Sequence, residues 1–196
     1  LACLMLAACS LRPDQQDLTT YTLAPDKKVG QDQSENPGKT GTKIALAPVK
    51  AAPDLKSRRI LIKRPGGITD YYADSRWNLV PAKLVREVIE QSLTAHFGPR
   101  VVPHGQRGSN ADYTVRLQLR DFQAEYTQST KTPPIVRVAV TADLNAKDAD
   151  STVKRKAFET TQKADANTMH DVRKAFEKAL HTVTDQIAGT LIKDRL

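Results

Sequence analysis

Covalent chemistry is written most plainly at Cys9. It closes the run Leu1-Ala2-Cys3-Leu4-Met5-Leu6-Ala7-Ala8-Cys9-Ser10, an apolar segment that stops at a thiol flanked by small residues. Leu6-Ala7-Ala8-Cys9 has the form of a bacterial lipobox. In such a motif the cysteine sulfur takes a diacylglyceryl group, and cleavage leaves that cysteine as the first residue of an exported chain. The run is too short to cross a bilayer, which needs about 20 apolar residues. It fits the end of a signal-peptide core with a small-residue cleavage site. Residues 1–8 are therefore expected to be the end of a signal peptide, and 9–17 a flexible lipidated tether. Each buried CH₂ adds about 0.8 kcal/mol, so several acyl chains hold where one would not. Ser10, rather than Asp, is the residue after the cysteine that favours the outer membrane in enteric-type sorting.

Other reactive side chains are thinly spread. Cys3 and Cys9 are the only cysteines, so a processed, lipidated chain has no thiol left for a disulfide. His96, His104, His170 and His181 lack metal-ligand spacing. His170 and His181 lie about three turns apart on one expected helix, too far to share an ion. No serine sits in a Gly-x-Ser-x-Gly elbow, and Gly66-Gly67 and Gly105 form no phosphate-cradling loop. The reading is of a chain with no catalytic residue, no metal and no cofactor.

What remains is contact chemistry. Trp77 is the only tryptophan, and a tryptophan before a helix buries a large apolar area. Core packing is its first account and partner contact its second. Tyr71 and Tyr72 are adjacent, so in a strand they face opposite ways and one is expected to be exposed. Arg76 is expected in a packed ion pair or stacked on a ring. Tyr71, Tyr72, Arg76 and Trp77 are thus the candidate partner contacts.

The net charge is +8 over 196 residues. A basic chain can bind nucleic acid, anionic lipid headgroups or an acidic protein. An export signal argues against nucleic acid. The densest basic groups are Arg58-Arg59 with Lys63-Arg64, and Lys154-Arg155-Lys156.

These residues need a scaffold, expected as one domain over 18–196. Leu18-Thr19-Thr20-Tyr21-Thr22-Leu23-Ala24 alternates and is rich in β-formers, so it predicts a strand stopped by Pro25. Residues 26–42 are polar and predict a mobile loop. Lys43-Ile44-Ala45-Leu46-Ala47-Pro48-Val49, Arg59-Ile60-Leu61-Ile62-Lys63 and Thr69-Asp70-Tyr71-Tyr72-Ala73 predict further strands. Pro81 then opens a helix whose stripe is Leu84, Val85, Val88, Ile89, Leu93 and Phe97, stopped by Gly98-Pro99.

Two long strands follow. Apolar residues fall at Tyr113, Val115, Leu117 and Leu119, then shift phase to Phe122, Ala124 and Tyr126. A period-2 pattern changes phase only through an extra residue, so a bulge or break is predicted near Arg120–Asp121. Val136, Val138, Val140, Ala142 and Leu144 form the next face. Thr152 to Lys163 is polar and predicts an exposed or edge strand. Met169, Val172, Phe176, Leu180, Val183, Ile187 and Leu191 mark the last helix, capped by Thr168 with Asp171 in its first turn. The fold class is α+β: a largely antiparallel sheet with two amphipathic helices packed on one face.

The ordered set of segments resembles the ABC-type transport auxiliary lipoproteins of the paraquat-inducible lipoprotein type. The resemblance rests on the lipobox at Cys9, Thr20-Tyr21-Thr22-Leu23, and Ile44-Ala45-Leu46-Ala47-Pro48-Val49. It continues through Pro53-Asp54-Leu55, Arg59 to Arg64, and Asp74-Ser75-Arg76-Trp77 leading to the first helix. It ends in the C-terminal amphipathic helix. Such proteins are non-catalytic, outer-membrane-anchored partners of MCE-domain systems that move phospholipids or other lipids across the periplasm. The resemblance implies an MCE-domain protein as partner and, through it, permease and ATPase subunits. Many such scaffolds are ring-like, so a homo-oligomer is a further expectation. The alternative is an assembly or activator lipoprotein of another envelope machine, for lipopolysaccharide export or peptidoglycan synthesis.

Overall fold

The computed structural model describes residues 18–24, 41–105, 110–147 and 152–193. Cys9, the expected tether and nearly all of the expected polar loop lie outside them. Within the described residues nine strands and two α-helices form in the order β1 (Thr19–Tyr21), β2 (Ile44–Leu46), β3 (Lys50–Ala51), β4 (Arg59–Arg64), β5 (Ile68–Trp77), α1 (Pro81–Phe97), β6 (Val101–Val102), β7 (Tyr113–Glu125), β8 (Ile135–Ala146), β9 (Thr152–Lys163) and α2 (Met169–Lys193).

β7 is the spine of the sheet. One of its edges pairs antiparallel with β8 along its whole length, and β8 in turn pairs antiparallel with β9. The other edge receives β2, β3 and β4 one after another, all parallel to it. Residues 44–63 are thus one extended run interrupted where Pro48 and Pro53 withhold the N–H that a ladder needs. β4 turns back through an antiparallel hairpin to β5, and β5 pairs in parallel with β1. β6 pairs in parallel with β2. The sheet is therefore mixed: its long pairings are antiparallel as expected, and short parallel ones are added. The parallel pairings of β2, β3 and β4 with β7, and of β2 with β6, arise because α1 carries the chain back to the start of the sheet before β6 and β7 begin, the long crossover that parallel partners require.

The predicted change of phase is present. Leu119 pairs with Val140 and Asp121 with Ala139, so Arg120 is the extra residue. Val115, Leu117 and Leu119 before it, and Phe122 and Ala124 after it, are all buried. The bulge lets one strand keep a single apolar face.

α1 starts at Pro81 and stops at Gly98, whose φ of 55° is the left-handed turn that ends a helix without a Cβ clash. α2 is capped as predicted. The Asp171 N–H donates to Thr168 Oγ1 at 3.2 Å, and that hydroxyl donates to the Asp171 carboxylate at 2.6 Å. The helices touch each other, and α2 lies across β8 and β9. Their stripes join the sheet face in one buried cluster. At its centre Trp77, Phe122 and Phe176 form a triangle with ring centroids 4.7–5.6 Å apart. Such pairs add about 0.5–1.5 kcal/mol each beyond the area they bury.

β9 is an edge strand, as its polar alternation predicts: among the described residues it pairs only with β8. Lys154, Arg155, Lys156 and Lys163 along it oppose edge-to-edge pairing with another chain.

Candidate functional site

The four candidate contact residues all lie on β5, and the structure divides them. Trp77 is fully buried. Its backbone N–H donates to the Arg58 carbonyl at 2.8 Å, while its ring joins the aromatic triangle. Nε1 has no hydrogen-bond partner among the described residues. Trp77 therefore offers no surface to a partner. Its candidate contact role is corrected to core packing, because β5 runs through residue 77 and turns that side chain inward.

Tyr72 is half-buried and points to the core side. Its hydroxyl lies 2.8 Å from that of Tyr126, which donates to Asn167 Oδ1 at 2.8 Å. Asn167 Nδ2 donates to the Thr130 carbonyl. With Tyr126 committed as donor to Asn167, Tyr72 is the donor to Tyr126. The chain ties β5, the end of β7, the β7–β8 connection and the approach to α2. Burial, helped by the Tyr126 hydrogen bond, pushes the Tyr72 phenol far above its ordinary value.

Tyr71 alternates with Tyr72 and pairs with Leu61 on β4, but it too is half-buried, so neither tyrosine is exposed as expected: Arg59 and the core cluster cover it. The Arg59 guanidinium lies 3.8 Å over its ring centroid. Arg76 donates from Nε to Thr20 Oγ1 at 3.1 Å and so stitches β5 to β1. Arg76 is neither ion-paired nor stacked within the described residues. On this strand pair the stacked cation is Arg59, which its basic neighbourhood marked but no motif did.

The β4–β5 pairing holds the main irregularity in this region. Arg59 faces Arg76, yet Leu61 already faces Tyr71. Four residues of β5, Tyr72 to Ser75, therefore stand opposite one residue of β4. The bulge opens a cleft of about 380 Å³, partly open to solvent, lined by Arg58, Arg59, Arg76, Tyr72, Ser75 and Leu18, with Ala73 at its side.

The outer face of the long strands is knit by charge. Arg137 on β8 grips Glu125 on β7 at 2.7 Å and also reaches Glu159 on β9. Burial works to raise the Glu125 pKa, but hydrogen bonds from Arg137 and Gln123 carry it below the usual carboxylate value. Arg155 forms a two-pronged pair with Asp143, at 2.6 and 2.9 Å. Among the described residues no group of three His, Cys, Asp or Glu side chains is placed to hold a metal ion. None of their helices is long and apolar enough to cross a membrane.

The model of the family described as ABC-type transport auxiliary lipoprotein component matches residues 21–188, from β1 to near the end of α2. The chain belongs to that family. Membership carries the lipoprotein character, an auxiliary part in ABC-type transport and a membrane-anchored place in the cell envelope. Among solved structures, the chain is similar to protein XCC0632 of Xanthomonas campestris, a DUF330 protein. The TM-score is 0.72 at 20% identity, over 89% of this chain and 95% of that one. It is also similar to the hypothetical protein CT253 of Chlamydia trachomatis, with a TM-score of 0.50 at 11% identity over 76% and 97% of the two chains. At these identities the likeness concerns the fold alone. Comparison with curated protein sequences finds no match.

Proposed function

We propose that this family member is a non-catalytic docking subunit of an MCE-domain lipid transport system. In this reading Cys9 carries the acyl anchor and holds the domain on the periplasmic face of the outer membrane. The domain then completes the outer-membrane end of a conduit for phospholipid or another lipid. An MCE-domain protein is the direct partner, the permease and ATPase are separate subunits behind it, and self-assembly into a homo-oligomer belongs to the same reading.

The family match over residues 21–188 carries this proposal, because it makes the whole folded domain an auxiliary component. The lipobox at Cys9 supplies the anchor, and eight residues separate it from Leu18. Substitution Cys9→Ala tests the anchor. The variant should keep its circular dichroism and melting curve yet leave the membrane fraction. A variant that stays with the membrane after high-salt washing contradicts the anchor.

A further inference from the structure

The basic residues of this protein divide into neutralised and unneutralised groups. Arg64 pairs with Asp70, Lys63 with Asp54, Arg86 with Glu90, Arg137 with Glu125, Arg155 with Asp143 and Arg173 with Glu177. Arg58, Arg59 and Arg76 have no carboxylate within 4.0 Å among the described residues. These three line the same cleft. Arg59 and Arg76 stand directly opposite each other across the β4–β5 ladder, an arrangement that destabilises a sheet when the charges are alike. What sets these three apart is that they converge on one cleft with no carboxylate beside them among the described residues.

Their geometry is prearranged for an anion. The Arg59 guanidinium is held 3.8 Å over the Tyr71 ring centroid, an attraction that restrains its position. The bond from Nε to Thr20 orients Arg76 and leaves both of its Nη groups free of partners among the described residues. Arg58 is exposed, with its carbonyl pinned by the Trp77 N–H. Planar guanidiniums held in this way suit the paired oxygens of a phosphate. The β5 bulge makes the room, the kind of local feature that re-aims side chains. Leu18 gives the cleft an exposed apolar lip. The cleft also sits where the chain leads back to Cys9, within roughly 30 Å of extended backbone.

We infer that the Arg58–Arg59–Arg76 cleft binds the phosphate of an anionic phospholipid headgroup in the membrane to which the chain is tethered. The phosphate chemistry stands on the cleft. The choice of a bilayer as its source rests on the anchored reading above.

Purified full-length chain carrying Cys9→Ala removes the anchor from the test. It is sedimented with vesicles of phosphatidylcholine alone or mixed with phosphatidylglycerol. Binding is expected only with phosphatidylglycerol. The variant Arg58→Gln/Arg59→Gln/Arg76→Gln should lose roughly a hundredfold in partition, the factor for three basic residues at an anionic surface. The charge-matched control Arg120→Gln/Lys147→Gln/Lys174→Gln should lose only a few fold. Equal losses in the two variants, or no loss in the first, overturn the site. Saturable binding of inorganic phosphate that the cleft variant abolishes, without vesicle binding, overturns the headgroup as ligand. Should the triple variant fail to melt cooperatively, Arg58→Gln alone, whose side chain has no partner among the described residues, should still lose roughly fivefold; unchanged partition then overturns the site. Because this chain carries no anchor, an arginine-dependent result stands even if the native protein proves unlipidated.

Discussion

Tyr72 and its neighbour Tyr71 are both half-buried, yet they hold different partners: Tyr71 lies under Arg59, and Tyr72 enters a hydrogen-bond chain. Its hydroxyl begins a chain of hydrogen bonds that runs through Tyr126 and Asn167 to a backbone carbonyl. Tyr72→Phe should cost about 0.5–1.5 kcal/mol at neutral pH, the net worth of such a bond. The pH dependence has a definite sign. The folded-state pKa lies above the ordinary value of 10.0, so the folded protein keeps a proton that the unfolded chain releases. The contribution is complete below about pH 10 and falls as pH rises above it. Urea unfolding at pH 8 and pH 11 should therefore show the gap between wild type and Tyr72→Phe narrowing at the higher pH. A constant gap would show that the phenol titrates normally. Adjacent tyrosines in a strand had to face opposite ways, and that much was readable from the chain. The Tyr126 partner, 54 residues away, was not, because only the long β7 strand brings it there. Trp77 was ambiguous for a similar reason. Its type serves a core or an interface equally well, and only the reach of β5 through residue 77 decides between them.

At the scale of elements, periodicity was the most legible signal. Both helices, the terminating Gly98, the Thr168 cap and the edge strand β9 follow from spacing and residue type. The bulge at Arg120 is the sharpest case, since a phase change in alternation has a single geometric remedy. It yields a test that separates the residue from its place in the ladder. Arg120→Ala should shift stability by less than about 0.5 kcal/mol, as for an exposed side chain without special contacts. Deletion of Arg120 should abolish cooperative unfolding, because it drives either Val115, Leu117 and Leu119 or Phe122 and Ala124 to the solvent face. Near-wild-type melting of the deletion would mean that the strand slips its register at little cost. The bulge in β5 was not legible. Tyr72 to Ser75 carry no phase signal, and that strand runs further than the segment from Thr69 to Ala73 that alternation picks out. The three arginines of the cleft come from two segments that local pattern does not join.

For the whole molecule, the α+β class and the two helices on one face follow from the order of elements, whereas the parallel pairings along β7 do not. Short strands such as β2 and β3 carry too few residues to declare a partner, and α1 sets their direction by returning the chain. Family membership rests on the match across nearly the whole domain, and the docking work we propose builds on that membership. That work is tested most directly by affinity capture of the native lipoprotein from detergent-solubilised envelopes, with the bound proteins identified by mass spectrometry. An MCE-domain protein, accompanied by a permease and an ATPase, is the expected catch. Recovery of lipopolysaccharide-export or peptidoglycan-synthesis components in its place would contradict the account.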